Sequence, residues 1–288
     1  MNYQKAIGIF LAAIMLMSIG TYFFAGPLSN QNGNQNDVSQ APGFDTIPGT
    51  KVDHELNSMQ DGLSMTPEGV TTAIYVDYSR AYNSDIGLVV PGVSGLYNSS
   101  VINRFGAYNP PTNFSYEAHV IQPEVINFDY SYTGETYNGY YLLLRGQTES
   151  GPIYNIVGTP MLFGSRDSLE KVTDVISGNL QKSTDFDRVL PYITNNAEYQ
   201  MVTSNDNLTR IHYIELMQTA SGNYTRTEIF VDPQQSLLDN IAVLEANSTE
   251  RGLVYNVINY DNENITKVVM ETNKSNFSNL INEVFFPR

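Results

Sequence analysis

The chain has 288 residues, with 30 acidic against 15 basic side chains and a net charge of −15. That balance excludes a nucleic-acid partner, whose phosphates need a basic surface, and argues against lying flat on anionic lipid. The absence of cysteine excludes disulfides, thiolate catalysis and Cys-ligated zinc or iron–sulfur centres.

Residues Ala6 to Ala25 run twenty positions without a charge, AIGIFLAAIMLMSIGTYFFA. At about 1.5 Å of rise per residue such a helix is about 30 Å long, the thickness of a bilayer's hydrocarbon core. Lys5 is the only charge before the run, and none follows until Asp37. A lone positive charge on the short side keeps that side in the cytoplasm. Segment 1–26 therefore reads as an uncleaved transmembrane signal anchor that touches membrane lipid through residues 6–25. The C-terminal remainder then lies outside the cell. Two other readings stay open. A cleaved signal peptide has an apolar run of about 7–15 residues and a small-x-small site; this run is longer, and Phe23 stands two positions before Ala25. A prepilin-type leader cut after Lys5 would make the apolar helix a filament core. A helix buried in a soluble core is disfavoured at this length without polar interruption. The first 26 residues contribute one lysine and no acid, which leaves −16 on the exterior part. A domain of about 240 residues buries enough core to do without disulfides.

Residues 27–43, PLSNQNGNQNDVSQAPG, lack hydrophobic periodicity and read as a flexible polar spacer. The exterior domain is expected over 44–288, beginning near Phe44, with two subdomains dividing near 195. Thr71 to Tyr78 reads as a strand, and Glu117 to Tyr132 as one or two. Tyr140 to Gln147 and Pro152 to Phe163 read as a hairpin across Gln147-Thr148-Glu149-Ser150-Gly151. A helix follows, with Leu169, Val172 and Ile176 on one face, Asp167 and Glu170 as a capping pair and Gly178 as a stop. A short helix places Phe186, Val189, Leu190 and Ile193 together. Arg210 to Gln218 and Tyr224 to Val231 repeat the hairpin across Gln218-Thr219-Ala220-Ser221-Gly222, which matches the first turn at four of five positions. The next helix carries Leu237, Ile241 and Leu244 after a Ser236 cap. Val254 to Tyr260 and Ile265 to Glu271 flank Asp261-Asn262-Glu263-Asn264. The last helix has Phe277, Leu280, Ile281, Val284 and Phe285 at helical spacing. Strand–strand–helix units thus recur, either by duplication or by convergent turn chemistry. Tight turns make the pairs antiparallel, and helices on one face of such a sheet make an α+β fold.

Eight Asn-x-Ser/Thr sites lie on the outer side: Asn98, Asn113, Asn207, Asn223, Asn247, Asn264, Asn273 and Asn276. Composition alone accounts for about half of them. Asn207, Asn223, Asn247 and Asn264 fall at turns or element ends, where a glycan projects into solvent, whereas Asn273 and Asn276 stand at the start of the last helix, where Ser275 and Ser278 serve equally as caps.

Motifs for chemistry are sparse. The histidines are His54, His119 and His212, with no HExxH and no i,i+4 pair, so a zinc hydrolase site is not expected. His54 sits in Asp53-His54-Glu55; the other two lie in strands and read as structural. Gly92-Val93-Ser94-Gly95 follows Val89-Val90-Pro91 and reads as a loop, not a nucleophile elbow. No Walker loop or GxGxxG occurs, and no cofactor is expected. Asp261 and Glu263 offer oxygen ligands for Ca²⁺ but lack the Asp-rich, Gly-centred loop of a strong site, so a solvated hairpin turn is preferred. There are 20 tyrosines and no tryptophan. Tyrosine is ordinary strand material, but Tyr130, Tyr132, Tyr137, Tyr140 and Tyr141 also offer an aromatic face for sugars or a protein partner.

A charged tip, a long anchor, an Asn/Gln spacer and a Cys-free exterior rich in Tyr, Asn, Thr and sequons resemble archaeal membrane-anchored surface glycoproteins of uncharacterised function. The segment Pro160-Met161-Leu162-Phe163-Gly164-Ser165, leading into Leu169-Glu170-Lys171-Val172, is similar to a strand–Gly–Ser–helix unit of prokaryotic surface proteins. Neither resemblance brings a catalytic residue. The expected function is a single-pass surface protein, without enzyme activity, whose exterior binds or scaffolds envelope proteins or glycans. The alternatives are a subunit of a larger envelope or pilus-like assembly, and an extracellular hydrolase or small-molecule or lipid carrier.

Overall fold

A computed structural model describes residues 41–285 apart from 91, 94, 149, 150, 205 and 206. The anchor at 1–26, the spacer up to residue 40 and Ser94 lie outside the described residues. Among the described residues no helix is long and apolar enough to cross a membrane.

In chain order the elements are β1 (Val52–Asp53), α1 (Met59–Ser64), β2 (Thr72–Asp77), α2 (Tyr78–Ala81), β3 (Ser100–Asn109), β4 (Phe114–Gln122), β5 (Ser131–Tyr137), β6 (Tyr140–Thr148), β7 (Gly151–Ile156), β8 (Gly158–Thr159) and β9 (Met161–Ser165). They continue with α3 (Arg166–Ile176), β10 (Tyr199–Ser204), β11 (Ile211–Gln218), β12 (Tyr224–Val231), α4 (Gln235–Ala246), β13 (Val254–Tyr260), β14 (Ile265–Thr272) and α5 (Phe277–Asn282). Antiparallel sheet dominates and a few helices accompany it, which is the α+β class.

Two compact units result. The first comprises the described residues of 41–70 and 92–183, the second those of 71–90 and 184–285. In the first unit the antiparallel order is β3-β4-β9-β7-β6-β5. In the second it is β13-β14-β12-β11-β10-β2, again antiparallel throughout. The segment 71–90 joins the second unit because β2 pairs along its length with β10, Val76 opposite Tyr199 and Thr72 opposite Thr203.

The stretch Pro152 to Phe163, read as one strand, folds back on itself. β7 and β9 pair antiparallel, Ile156 opposite Leu162, so the chain reverses at 157–160. Gly158 makes this bend workable: β1 lies against it, and a Cβ there would stand 2.2 Å from the Val52 carbonyl oxygen. The hairpin that feeds α3 is therefore β7–β9, while β6–β7 forms a further hairpin before it. The later units follow the expected plan. β11–β12 leads into α4, and β13–β14 leads into α5, with Gly222 at φ +84 closing the first of these turns.

α3 buries Leu169, Val172 and Val175 and packs on β9, β4 and β7. Its cap is Ser165, whose hydroxyl accepts the Ser168 N–H, while Glu170 pairs instead with Arg166 at 2.7 Å. The helix read around Phe186 to Ile193 shrinks to a 3-10 turn at Leu190–Tyr192, since Pro191 brings no backbone donor. Phe186 and Val189 are buried all the same. α5 stops at Asn282, although Phe285 remains buried. One guanidinium nitrogen of Arg226, Nη1, reaches the carbonyl oxygens of Leu280, Ile281 and Glu283 at 3.0, 3.0 and 2.9 Å. A side chain thus satisfies acceptors that another helical turn would have used.

Candidate functional site

The sequon asparagines separate by surroundings. Asn98, Asn113, Asn207, Asn247, Asn264 and Asn273 are exposed; Asn223 and Asn276 are half-buried. Several side-chain amides are already engaged: Asn98 donates to the Asn127 carbonyl at 3.0 Å, Asn223 to Glu271 at 2.8 Å, Asn247 to the Val243 carbonyl at 3.1 Å and Asn264 to Asp232 at 3.0 Å. Among the described residues the side-chain amide nitrogens of Asn113, Asn207 and Asn273 have no such acceptor. Asn273 caps the turn before α5 with its oxygen, which accepts the Ser275 N–H.

The five tyrosines do not form one face. β6 alternates, so Tyr140 and Tyr141 point to opposite sides, and Tyr140 is buried. The Tyr137 hydroxyl donates to Asp174 on α3 at 2.8 Å. Tyr132 on β5 stacks on Tyr141 with ring centroids 5.5 Å apart, and Tyr132 is 53% exposed. Tyr130 meets Phe128 edge-on at 6.0 Å, and the Arg145 guanidinium lies 4.1 Å over the Phe128 ring. The surviving surface is exposed Tyr132 on β5 with half-buried Tyr141 beside it on β6, and Tyr130 just before β5, the strand that ends the order of its sheet.

Burial and partners distinguish the histidines. His54 is half-buried, and its Nε2 meets the Ser64 hydroxyl at 3.1 Å. His119 belongs to a sealed chain of polar groups in the first unit. Its Nε2 faces Glu117 Oε2 at 2.9 Å and its Nδ1 faces the Tyr97 hydroxyl at 2.7 Å. A carboxylate only accepts, which assigns the ring proton to Nε2 and makes Tyr97 the donor to Nδ1. Asn155 donates in turn to Tyr97 Oη at 3.4 Å, and Arg145 donates to Asn155 Oδ1 at 2.9 Å. Arg104 and Tyr108 close on the other carboxylate oxygen, Tyr108 at 3.1 Å. Along this chain the hydrogen bonds run toward Glu117, while Asn155 and Arg145 also donate to the Leu162 and Leu96 carbonyls, each at 2.8 Å. Burial works to raise the Glu117 carboxyl, but the Arg104 charge and the His119 hydrogen bond outweigh it and hold the group at about 2. Burial also lowers the His119 imidazole, against the pull of Glu117, and raises the Tyr97 hydroxyl.

Carboxylate, imidazole and hydroxyl in line have the order of a nucleophile relay. Here the order serves the core. His119 and Tyr97 are 0% and 1% exposed, and the Tyr97 oxygen is committed to His119 and Asn155. His119 stands out in the sequence without its partners; Arg104 and Glu117 are recognisable only as charges placed inside apolar strands.

The second unit holds a related cluster. His212 on β11 meets Glu228 on β12 at 2.6 Å, and Glu228 also pairs with Arg226, two residues before it on the same strand face. Burial raises the Glu228 carboxyl, but the Arg226 charge and the His212 hydrogen bond bring it below the ordinary range. His212 stacks on its cross-strand partner Phe230 at 4.8 Å.

Clefts open on the surface of each unit. One, about 310 Å³, lies between α4 and the β13–β14 hairpin, floored by Leu238, Ile241, Val257 and Ile265. Another, about 380 Å³, lies beside the start of α3 and is bounded by Asn113, Phe114, Pro152, Tyr154, Arg166 and Lys171. The turn Asp261 to Asn264 is used structurally: the Glu263 carbonyl accepts from Arg188 at 2.6 Å, and Asn264 holds Asp232. Among the described residues no group of three or more His, Asp and Glu side chains is placed to hold a metal ion.

No family model matches the chain, and no curated protein matches it in sequence. A solved structure of TP0453, crystal form I, superposes with a TM-score of 0.46 at 7% identity, covering 77% of this chain and 96% of that one. A likeness that loose carries neither fold nor function across.

Proposed function

We propose that the chain is a single-pass, membrane-anchored cell-surface protein whose glycosylated exterior domain binds or scaffolds other envelope proteins or glycans and catalyses no reaction. The observation that carries the reading is a contrast in exposure. The His119–Glu117 and His212–Glu228 groups are buried among the strands, whereas Tyr130 and Tyr132 are exposed at and just before β5, the strand that ends its sheet, with half-buried Tyr141 stacked on Tyr132. Flat apolar rings with a hydroxyl suit both sugar faces and protein partners. The uncharged run Ala6–Ala25 supports the anchor, and six exposed sequon asparagines support glycosylation. The composition shared with archaeal surface glycoproteins agrees with that placement. In this reading the helices cover one face of the exterior sheet, and strand–strand–helix units recur along the chain.

The test is the intact mass of the protein recovered from membranes of the expressing cell, combined with protease treatment of intact cells. An uncleaved N-terminus, sugar mass and external cleavage are expected. A mature chain starting near residue 26 sinks the anchor, one starting at Ala6 points to a filament subunit, and a bare mass sinks glycosylation. For the binding surface, Tyr132→Ala with Tyr141→Ala is expected to abolish retention on isolated envelopes; unchanged retention sinks that assignment.

A further inference from the structure

We infer that the cleft beside α3 is the docking site for the first sugars of an N-linked glycan carried by Asn113. The inference rests on the glycosylation reading above and says where one chain goes. Asn113 sits at the tip of the β3–β4 hairpin with φ +55, exposed, and its own side chain borders the cleft. Among the described residues its amide nitrogen donates to no acceptor, so attachment of a sugar breaks no hydrogen bond there. By contrast the amides of Asn98, Asn223, Asn247 and Asn264 would each lose a partner.

The cleft has the make-up that sugars use. Its volume of about 380 Å³ lies in the range of small-molecule sites. Phe114 and Tyr154, each more than nine-tenths buried, line the cleft, and exposed Pro152 beside them offers an apolar surface to the face of a sugar ring. Lys171 provides a cationic head for ring hydroxyls and acetamido oxygens, and Arg166, whose Nε and Nη1 hold Glu170 and Glu135 at 2.7 and 3.0 Å, keeps its Nη2 donors for the same use. Covalent attachment raises the effective concentration of the sugar at the wall, so even weak contacts hold it in place.

The full chain, produced in a eukaryotic host that attaches N-acetylglucosamine cores, allows the test. Glycopeptide mass spectrometry follows peptide-N-glycosidase release at Asn113, Asn207 and Asn273 on the native protein. Release at Asn113 is expected to be about tenfold slower than at the other two, the factor that ~1.4 kcal/mol of docking supplies. The rates should become equal after denaturation. Arg166→Ser with Lys171→Ser, both exposed positions, should erase the native difference, and Lys171→Ser alone gives a second variant if that pair fails to fold. Sugar present at Asn113 but released at the common rate overturns the inference. So does an unmodified Asn113 on a protein glycosylated elsewhere, which leaves the broader reading standing. A bare chain overturns both.

Discussion

The cluster around Glu117 and the cluster around Glu228 use the same three side chains on neighbouring antiparallel strands, and they do different work. In the first unit Arg104 and His119 face each other across β3 and β4, and Glu117 lies two residues from His119 on the same face. The hydrogen bonds run from Arg145 through Asn155, Tyr97 and His119 to the carboxylate, so the group ties four strands and the loop bearing Tyr97 to one acceptor. In the second unit Arg226 divides its guanidinium between Glu228 and the carbonyls at the C-terminal end of α5, those of Leu280, Ile281 and Glu283. One cluster welds a sheet internally; the other fastens the last segment of the chain to its sheet. Arg251 and Tyr255 help by holding Glu283, and Phe285 closes against Phe230 and Tyr255. Residue identity alone therefore does not assign a role to a buried ion pair. The second hand of the arginine does.

The largest effect should come from the arginines. Arg104→Met and Arg226→Met each leave a buried carboxylate without its main counter-charge, at a cost of about 3–5 kcal/mol in urea unfolding. The two should separate in hydrogen exchange. Arg226→Met is expected to deprotect amides of 277–285, while Arg104→Met leaves that segment as protected as before relative to its own stability. Equal protection in both variants would break the comparison.

The next effect is acid sensitivity. Glu117 is depressed in the folded state, so its contribution is present above about pH 4.5, the unfolded value, and is lost as pH falls toward 2. His119 is depressed too, so the unfolded chain takes up its proton first, and stability begins to fall below about pH 6.5. Urea midpoints across this range should drop in two stages for the wild type. Glu117→Gln should flatten the stage below pH 4.5, and His119→Phe the stage above it; an unchanged profile in both would show that other groups govern the acid limb.

A smaller loss, about 1–3 kcal/mol, is expected for His119→Phe at neutral pH, because Glu117 keeps Arg104 and Tyr108 while Tyr97 loses its acceptor. The smallest belongs to the surface. Tyr132→Ala should change stability by no more than about 0.5 kcal/mol, since its ring rests on Tyr141 in solvent. A loss of several kcal/mol would make that stack a part of the core.

Much of the local structure was legible in the residues. The β11–β12 and β13–β14 hairpins, and the helices α3 and α4, follow from alternation, turn residues and helical spacing. Those signals are local, and tight turns leave little choice of partner. The failures share a cause. Pro152 to Phe163 reads as one apolar strand because periodicity does not register a reversal at Gly158, where β1 approaches too closely for any side chain. The stripe ending at Phe285 reads as helix because the apolar spacing continues, while a distant arginine takes the carbonyls. The tyrosine face lost Tyr140 to the core for a simple geometric reason: adjacent strand positions face opposite ways.

By itself the sequence determined the class of fold, the hairpin turns, the sequons and an N-terminal apolar run of membrane length, because each depends on residues close together along the chain. The tertiary structure decided which charges are buried, which asparagines and tyrosines reach solvent, and which strands pair across the chain. Those outcomes depend on contacts between residues as far apart as Arg226 and Glu283 or Tyr97 and Asn155. The free energy of a buried charge is set by such distant partners, and no local pattern encodes them.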